Sequence, residues 1–177
     1  MRNVRPHHDA PLPEGGQAAG DAPRSRLNLL LSYAGFSADS WVDRLPLLLQ
    51  PLGVHSLRAE NCAEATRVIQ HFPVHIAVVD LGLPMEQLTA HKPDAGEAGP
   101  RILELLRRLD APPPIVVVKP ARSHRDDARQ IAAALRAGVY AVVDRPHGQG
   151  DLELMLGVLQ RCLRRFYHNR WPGTSNC

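Results

Sequence analysis

From Gly53 to Pro84 the chain reads GVHSLRAENCAEATRVIQHFPVHIAVVDLGLP, and this stretch decides the fold. Residues 54–58 alternate apolar and polar side chains, residues 62–70 carry apolar residues at helical spacing, and residues 76–79 form an unbroken aliphatic run that ends at Asp80. A period of two marks a half-buried strand, whereas an unbroken aliphatic run of this length fits a strand covered on both faces. A helix between two strands is the crossover that joins parallel neighbours.

The same alternation continues on either side. Residues 27–31, 115–118 and 141–143 are further strand candidates, giving five, with 54–58 as the edge strand because it alone alternates. The first helix is expected to start after Ser37 or Asp39 as its N-cap, to bury Trp41, Val42 and Leu45, and to break or restart at Pro46. A second helix covers 62–70. A third covers 100–109, with Pro100 in its first turn and Ile102, Leu103, Leu105, Leu106 and Leu109 as its buried stripe. The fourth covers 126–137 and ends at Gly138. The last, 152–167, sets Leu152, Met155, Leu156, Leu159, Leu163 and Phe166 on one face, with Arg161, Arg164 and Arg165 in its final turns, where cations favour the helix dipole. Strands alternating with helices imply an α/β protein with a mostly parallel sheet.

Composition agrees with one globular domain. The chain has 177 residues, 44% hydrophobic and 22% charged, enough apolar surface for a core. A net charge of +3, with Lys92 and Lys119 as the only lysines, is too weak an electrostatic footprint for nucleic acid. Cys62, Cys162 and Cys177 show neither a disulfide framework nor ligand spacing for zinc. Residues 1–26 are rich in Pro, Gly and Ala and lack the apolar run of a signal peptide. They read as a disordered arm, 27–167 as the domain and 168–177 as a tail. No run approaches the ~18 apolar residues of a membrane span, so a cytoplasmic location and no membrane contact are expected.

In an open α/β sheet the ligand crevice lies beyond the carboxyl ends of the strands. There the sequence offers Ser32 and Tyr33, then Asp80, then Lys119 and Pro120, then Asp144, Arg145 and Pro146. A carboxylate ending the central strand, faced by Lys119 and Arg145, is the constellation with chemical content; an ordinary ion pair is its plainer reading. The nine histidines show no i, i+4 pair on one helix, and no glycine loop sits in the context that would cradle phosphate. No metal site, cofactor site or catalytic residue is expected.

The segment 53–84, followed by GPRILELLRRL, PPIVVVKPARS and ALRAGVYAVVDRP, resembles the receiver domain of bacterial two-component response regulators, which are CheY-like. The resemblance covers about residues 27 to 167. It implies a flavodoxin-like five-stranded parallel sheet in the order 2-1-3-4-5 with helices on both faces. It also makes Asp80 the equivalent of the aspartate that accepts a phosphoryl group from a histidine kinase. Ala137-Gly138 and Arg145-Pro146 match the family's ending, and the matching lysine-proline bond implies a cis bond between Arg145 and Pro146.

Departures from that pattern bear on mechanism. Ser32 and Tyr33 stand where receivers carry two magnesium-holding acids. Lys119 or Pro120 replaces the switch hydroxyl, with Ser123 further along, Arg145 replaces the lysine, and Val142 the switch aromatic. Residues 85–99 form an insertion expected to be a flexible loop over the site, pivoting at Gly96 and Gly99. An acyl phosphate brings nearly two negative charges that Mg²⁺ normally offsets. A unit pair at about 4 Å is worth roughly 4 kcal/mol at an effective dielectric of ~20, so loss of the metal is costly. The sequence therefore points to a stand-alone, degenerate, non-enzymatic receiver-like domain. Such a domain would bind a protein partner, a signalling protein or a histidine kinase, or pair as a homodimer, through its fourth helix, last strand and last helix, with Arg161, Arg164 and Arg165 on that surface. The alternatives are a phosphoacceptor receiver using Asp80 and a flavodoxin-like binder of a small molecule or nucleotide.

Overall fold

A computed structural model of the chain describes residues 27–33, 41–86, 98–120 and 124–168. The arm, the N-cap candidates Ser37 and Asp39, insertion residues 87–97, Ser123 and the tail beyond His168 lie outside them. In chain order the elements are β1 (Leu27–Ser32), α1 (Trp41–Leu49), a 3₁₀ turn (Gln50–Leu52), β2 (Val54–Ala59), α2 (Cys62–His71), β3 (Ile76–Asp80), α3 (Gly99–Arg107), β4 (Ile115–Lys119), α4 (His124–Arg136), β5 (Ala141–Asp144) and α5 (Gln149–Tyr167).

The strands form one sheet in the order β2-β1-β3-β4-β5, and every neighbouring pair is parallel. Chain order is inverted once, between β2 and β1, which sends the crossovers to opposite faces. Leu29, Leu31, Val78 and Val116 face α1 and α5, packing against Trp41, Leu45, Met155 and Leu159. Leu30, Ala77, Val79 and Val117 face the other way, against Ala65, Ile102, Leu106 and Ala134. Because both faces are covered, β3 is buried along its whole length, Asp80 included. The edge strand β2, with β1 as its neighbour on one side, is only partly buried.

Helix boundaries follow local chemistry. Asn61 caps α2 by accepting the Glu64 backbone N–H, and Glu64 Oε1 accepts from Asn61 Nδ2 in return, while Glu64 Oε2 accepts the Glu60 backbone N–H. Gly53 takes a left-handed conformation, φ 73°, to turn the 3₁₀ segment into β2.

Three expectations are corrected. Pro46 lies inside α1 and does not break it; burial of Leu45 and Leu49 on either side outweighs the lost hydrogen bond. Phe166 is 48% exposed, and the buried stripe of α5 runs instead through Leu152, Met155, Val158, Leu159 and Cys162. Helical periodicity puts Phe166 on the same face as Leu159 and Cys162, but it stands in the last turn of the helix, which ends at Tyr167, and packs there against the ring of Tyr140. Gly99 is no pivot: it is buried as the first residue of α3, and a Cβ there would sit 2.5 Å from Leu81 Cα. Ala98 N–H donates to Leu83 O at 2.6 Å, so this end of the insertion is pinned to the end of β3.

Candidate functional site

The carboxyl edge of the sheet gathers the chemistry. β3 ends at Asp80, fully buried with no exposed surface, because the apolar run that carries it is central and covered on both faces. Beside it, β4 ends at Lys119 and β5 at Asp144, which are register partners. Arg145 follows at once and continues the pairing, its backbone N–H donating to Lys119 O at 3.0 Å.

Both carboxylate oxygens of Asp80 are engaged. Arg145 Nη2 donates to Oδ2 at 2.6 Å and forms a salt bridge with it. Gly82 N–H donates to Oδ1 at 2.9 Å. Gly82 matters for a spatial reason: a Cβ there would lie 3.3 Å from Arg145 Nη2 and 3.4 Å from Asp80 Oδ1, so its backbone closes over the pair. The Arg145 side chain is 27% exposed, and its buried Nε has no hydrogen-bond partner among the described residues. An orphaned donor costs stability, so the ion pair with Asp80 must outweigh it to hold the guanidinium here.

Lys119 is placed differently from Arg145. Its ammonium lies 2.5 Å from Asp144 Oδ1, so Asp144, which the sequence reading left without a role, takes part in the charge arrangement. The parallel register could have signalled this, since register partners present their side chains to the same face.

Ser32 and Tyr33 complete the edge. Ser32 is fully buried and its hydroxyl donates to Val78 O at 3.1 Å, so its proton is committed to the sheet. Tyr33 O–H donates to Glu60 Oε1 at 3.5 Å. Burial pushes the Tyr33 phenol up from its ordinary value, helped by the negative charge of Glu60. A magnesium ion wants several oxygen ligands at near-octahedral angles, carboxylates among them. The edge instead presents the Asp80 carboxylate already carrying a guanidinium, the Asp144 carboxylate carrying the Lys119 ammonium, a hydroxyl turned into the sheet and a protonated phenol on Glu60. Among the described residues no cluster of three or more His, Cys, Asp or Glu is placed to hold a metal ion. These residues do not fit the magnesium site of a receiver.

The Arg145–Pro146 bond is trans, since the described residues contain no cis peptide bond. The cis expectation came from a lysine at this place, whereas the longer arginine spans to Asp80 from a trans backbone. Arg161, Arg164 and Arg165 are exposed on α5, remote from Asp80 along the helix. Among the described residues no helix is long and apolar enough to cross a membrane.

No family model matches the chain, and no curated protein matches it. Solved structures do. A signal receiver domain of an HD domain-containing protein from Pseudomonas fluorescens Pf-5 is 21% identical, with a TM-score of 0.55, and the match covers 79% of this chain and 96% of that one. A response regulator from Thermotoga maritima is 16% identical, with a TM-score of 0.52, over 78% of this chain and 98% of that one. A response regulator from Burkholderia pseudomallei matches at 20% identity and a TM-score of 0.49 over 76% of this chain, which spans 66% of that longer protein. The fold is that of the CheY-like response regulator receiver domains.

Proposed function

We propose that this chain is a receiver-fold signalling domain, spanning residues 27–167, that works by binding a protein partner and not by magnesium-dependent phosphorylation of Asp80. The observation that carries this reading is the double engagement of the Asp80 carboxylate, by Arg145 at 2.6 Å and Gly82 at 2.9 Å, in a side chain with no exposed surface. An acceptor carboxylate must present a lone pair to an incoming phosphorus atom, and the added charge must be neutralised as it arrives. Here each carboxylate oxygen already accepts a donor, and the side chain is closed off from solvent. The guanidinium neutralises the carboxylate itself, so the resting site already resembles a paired state.

Binding would then rest on the surface of α4, β5 and α5. Arg161, Arg164 and Arg165 make the end of α5 basic and exposed, and Tyr140 and Phe166 pack edge to face beside them, with ring centroids 5.6 Å apart. A cationic rim next to aromatic side chains suits an acidic protein surface, where arginine and aromatics carry the binding energy.

The test is intact mass after incubation with acetyl phosphate and Mg²⁺, for wild type and Asp80→Asn. No phosphoryl adduct is expected on either protein. An adduct on wild type that is absent from Asp80→Asn would establish the phosphoacceptor reading instead. The surface is tested by sedimentation of wild type against an Arg161→Glu/Arg164→Glu/Arg165→Glu variant: a self-associating wild type made monomeric by the triple change assigns this face to a second copy of the chain.

A further inference from the structure

Helices α3 and α4 cover the same face of the sheet without closing on each other. Between them lies a groove of about 480 Å³, within the ~300–1,000 Å³ typical of small-molecule sites. Its origin is in the sequence. Among the described residues, those that α4 turns toward the groove are alanines, with Ala133 at the lip and Ala134 on the floor, and they are too short to fill the space. The rest of the floor is Leu81 and Leu103, both almost completely buried.

The charges at the rim divide unequally. Arg108 Nη2 lies 2.5 Å from Glu104 Oε1, one turn back on the same helix, and these two neutralise each other. Arg107 lines the groove too, is exposed, and makes no ion pair among the described residues. It stands one helical turn, roughly 6 Å, beyond Leu103. The groove thus pairs an apolar bed with a cation, a turn away, that has no ion pair among the described residues, the complement of a ligand with a hydrocarbon body and an acidic head.

We propose that the groove binds a small amphipathic anion, an acyl or aryl carboxylate whose hydrocarbon lies on Leu81, Leu103 and Ala134 and whose carboxylate pairs with Arg107. This site is distinct from the Asp80 carboxylate and does not depend on how Asp80 behaves. The two are nonetheless adjacent through the chain, since Leu81 follows Asp80 directly and donates its N–H to Val118 O at 2.9 Å.

The experiment titrates the methyl-labelled full chain with decanoate, and with decanol as the uncharged counterpart. Saturable shifts at the Leu81, Leu103 and Ala134 methyls are expected, with decanoate binding at least tenfold tighter than decanol. Arg107→Glu should remove that preference, and Ala133→Trp, which fills the lip, should abolish binding; Arg107→Gln replaces the glutamate variant if the latter does not fold. The proposal is overturned by the absence of saturable shifts, by equal affinity for the two probes, by shifts centred on the exposed Leu47, Leu48 and Leu52, or by groove shifts that appear with rising protein concentration alone and so assign the groove to a second copy of the chain.

Discussion

Arg145 reaches back from the end of β5 to place Nη2 2.6 Å from Oδ2 of Asp80 at the end of β3, and β4 lies between the two strands. The pair therefore clamps the carboxyl edge across a whole strand. One member is fully buried, so the consequence of separating them is set by desolvation more than by attraction.

Removing either partner alone should destabilise the fold. Arg145→Met leaves a buried carboxylate without its counterion, and a loss of about 3 kcal/mol is expected. Asp80→Asn leaves the guanidinium without its partner and should also be less stable than wild type at neutral pH. The double variant should recover most of the loss, because the two terms are coupled. Urea unfolding of the four proteins checks this, and an Asp80→Asn protein clearly more stable than wild type would contradict the charge arrangement described here.

The two glycines beside Asp80 should differ sharply in tolerance. At Gly99 a Cβ meets backbone, 2.5 Å from Leu81 Cα and 2.7 Å from Leu81 O, so α3 would have to move. Gly99→Ala is expected to cost at least about 2 kcal/mol. At Gly82 the nearest atom is the end of a flexible side chain, Arg145 Nη2 at 3.3 Å, and Gly82→Ala should cost under about 1 kcal/mol. Equal denaturation midpoints for the two variants would refute the distinction.

His75 gives the stability a pH dependence of known sign. Its Nδ1 accepts the Asn28 backbone N–H at 2.9 Å, which only a neutral ring can do, and Tyr167 O–H donates to its carbonyl oxygen at 2.5 Å. Burial holds its pKa below the ordinary value. With the unfolded value at about 6.5, the unfolded chain binds more protons between the two values, so stability is complete above about 6.5 and falls as pH drops toward the folded value. Unfolding free energies measured across that range should decline for wild type and less steeply for His75→Gln.

Cys162 should be chemically silent in the native protein. Burial pushes its thiol up to about 12, so almost none is thiolate at neutral pH. Alkylation by iodoacetamide is expected only after denaturation, read by peptide mass; labelling of Cys162 in the folded chain would show that α5 opens.

Much of the architecture was legible because it rests on periodicity. Each expected strand lies within one residue of the observed one at both ends: 27–31 against Leu27–Ser32, 76–79 against Ile76–Asp80. Uninterrupted Val and Ile runs have few alternatives once both faces must be buried. Helix termini were less legible. Gln149, Gly150 and Asp151 begin α5 although they carry no apolar signal, since a first turn needs only satisfied N–H groups and an acid near the dipole, here Asp151 accepting the His147 N–H at 3.0 Å.

At the site, the order of residues could place Asp80, Lys119 and Arg145 on one edge, because Asp80 and Lys119 directly follow apolar runs and Arg145 comes one residue after Asp144, which follows the last run, in a parallel sheet. The sequence by itself determined that edge and the burial of Asp80, through the order and length of the aliphatic runs. Only the tertiary structure decided the pairings, Arg145 with Asp80 and Lys119 with Asp144. The reason is geometric: register makes Lys119 and Asp144 direct neighbours on adjacent strands, whereas Arg145, one residue later, has left the strand and is free to turn inward. Register between strands is a property of the assembled sheet, fixed when the helices pack and not by any local run of residues.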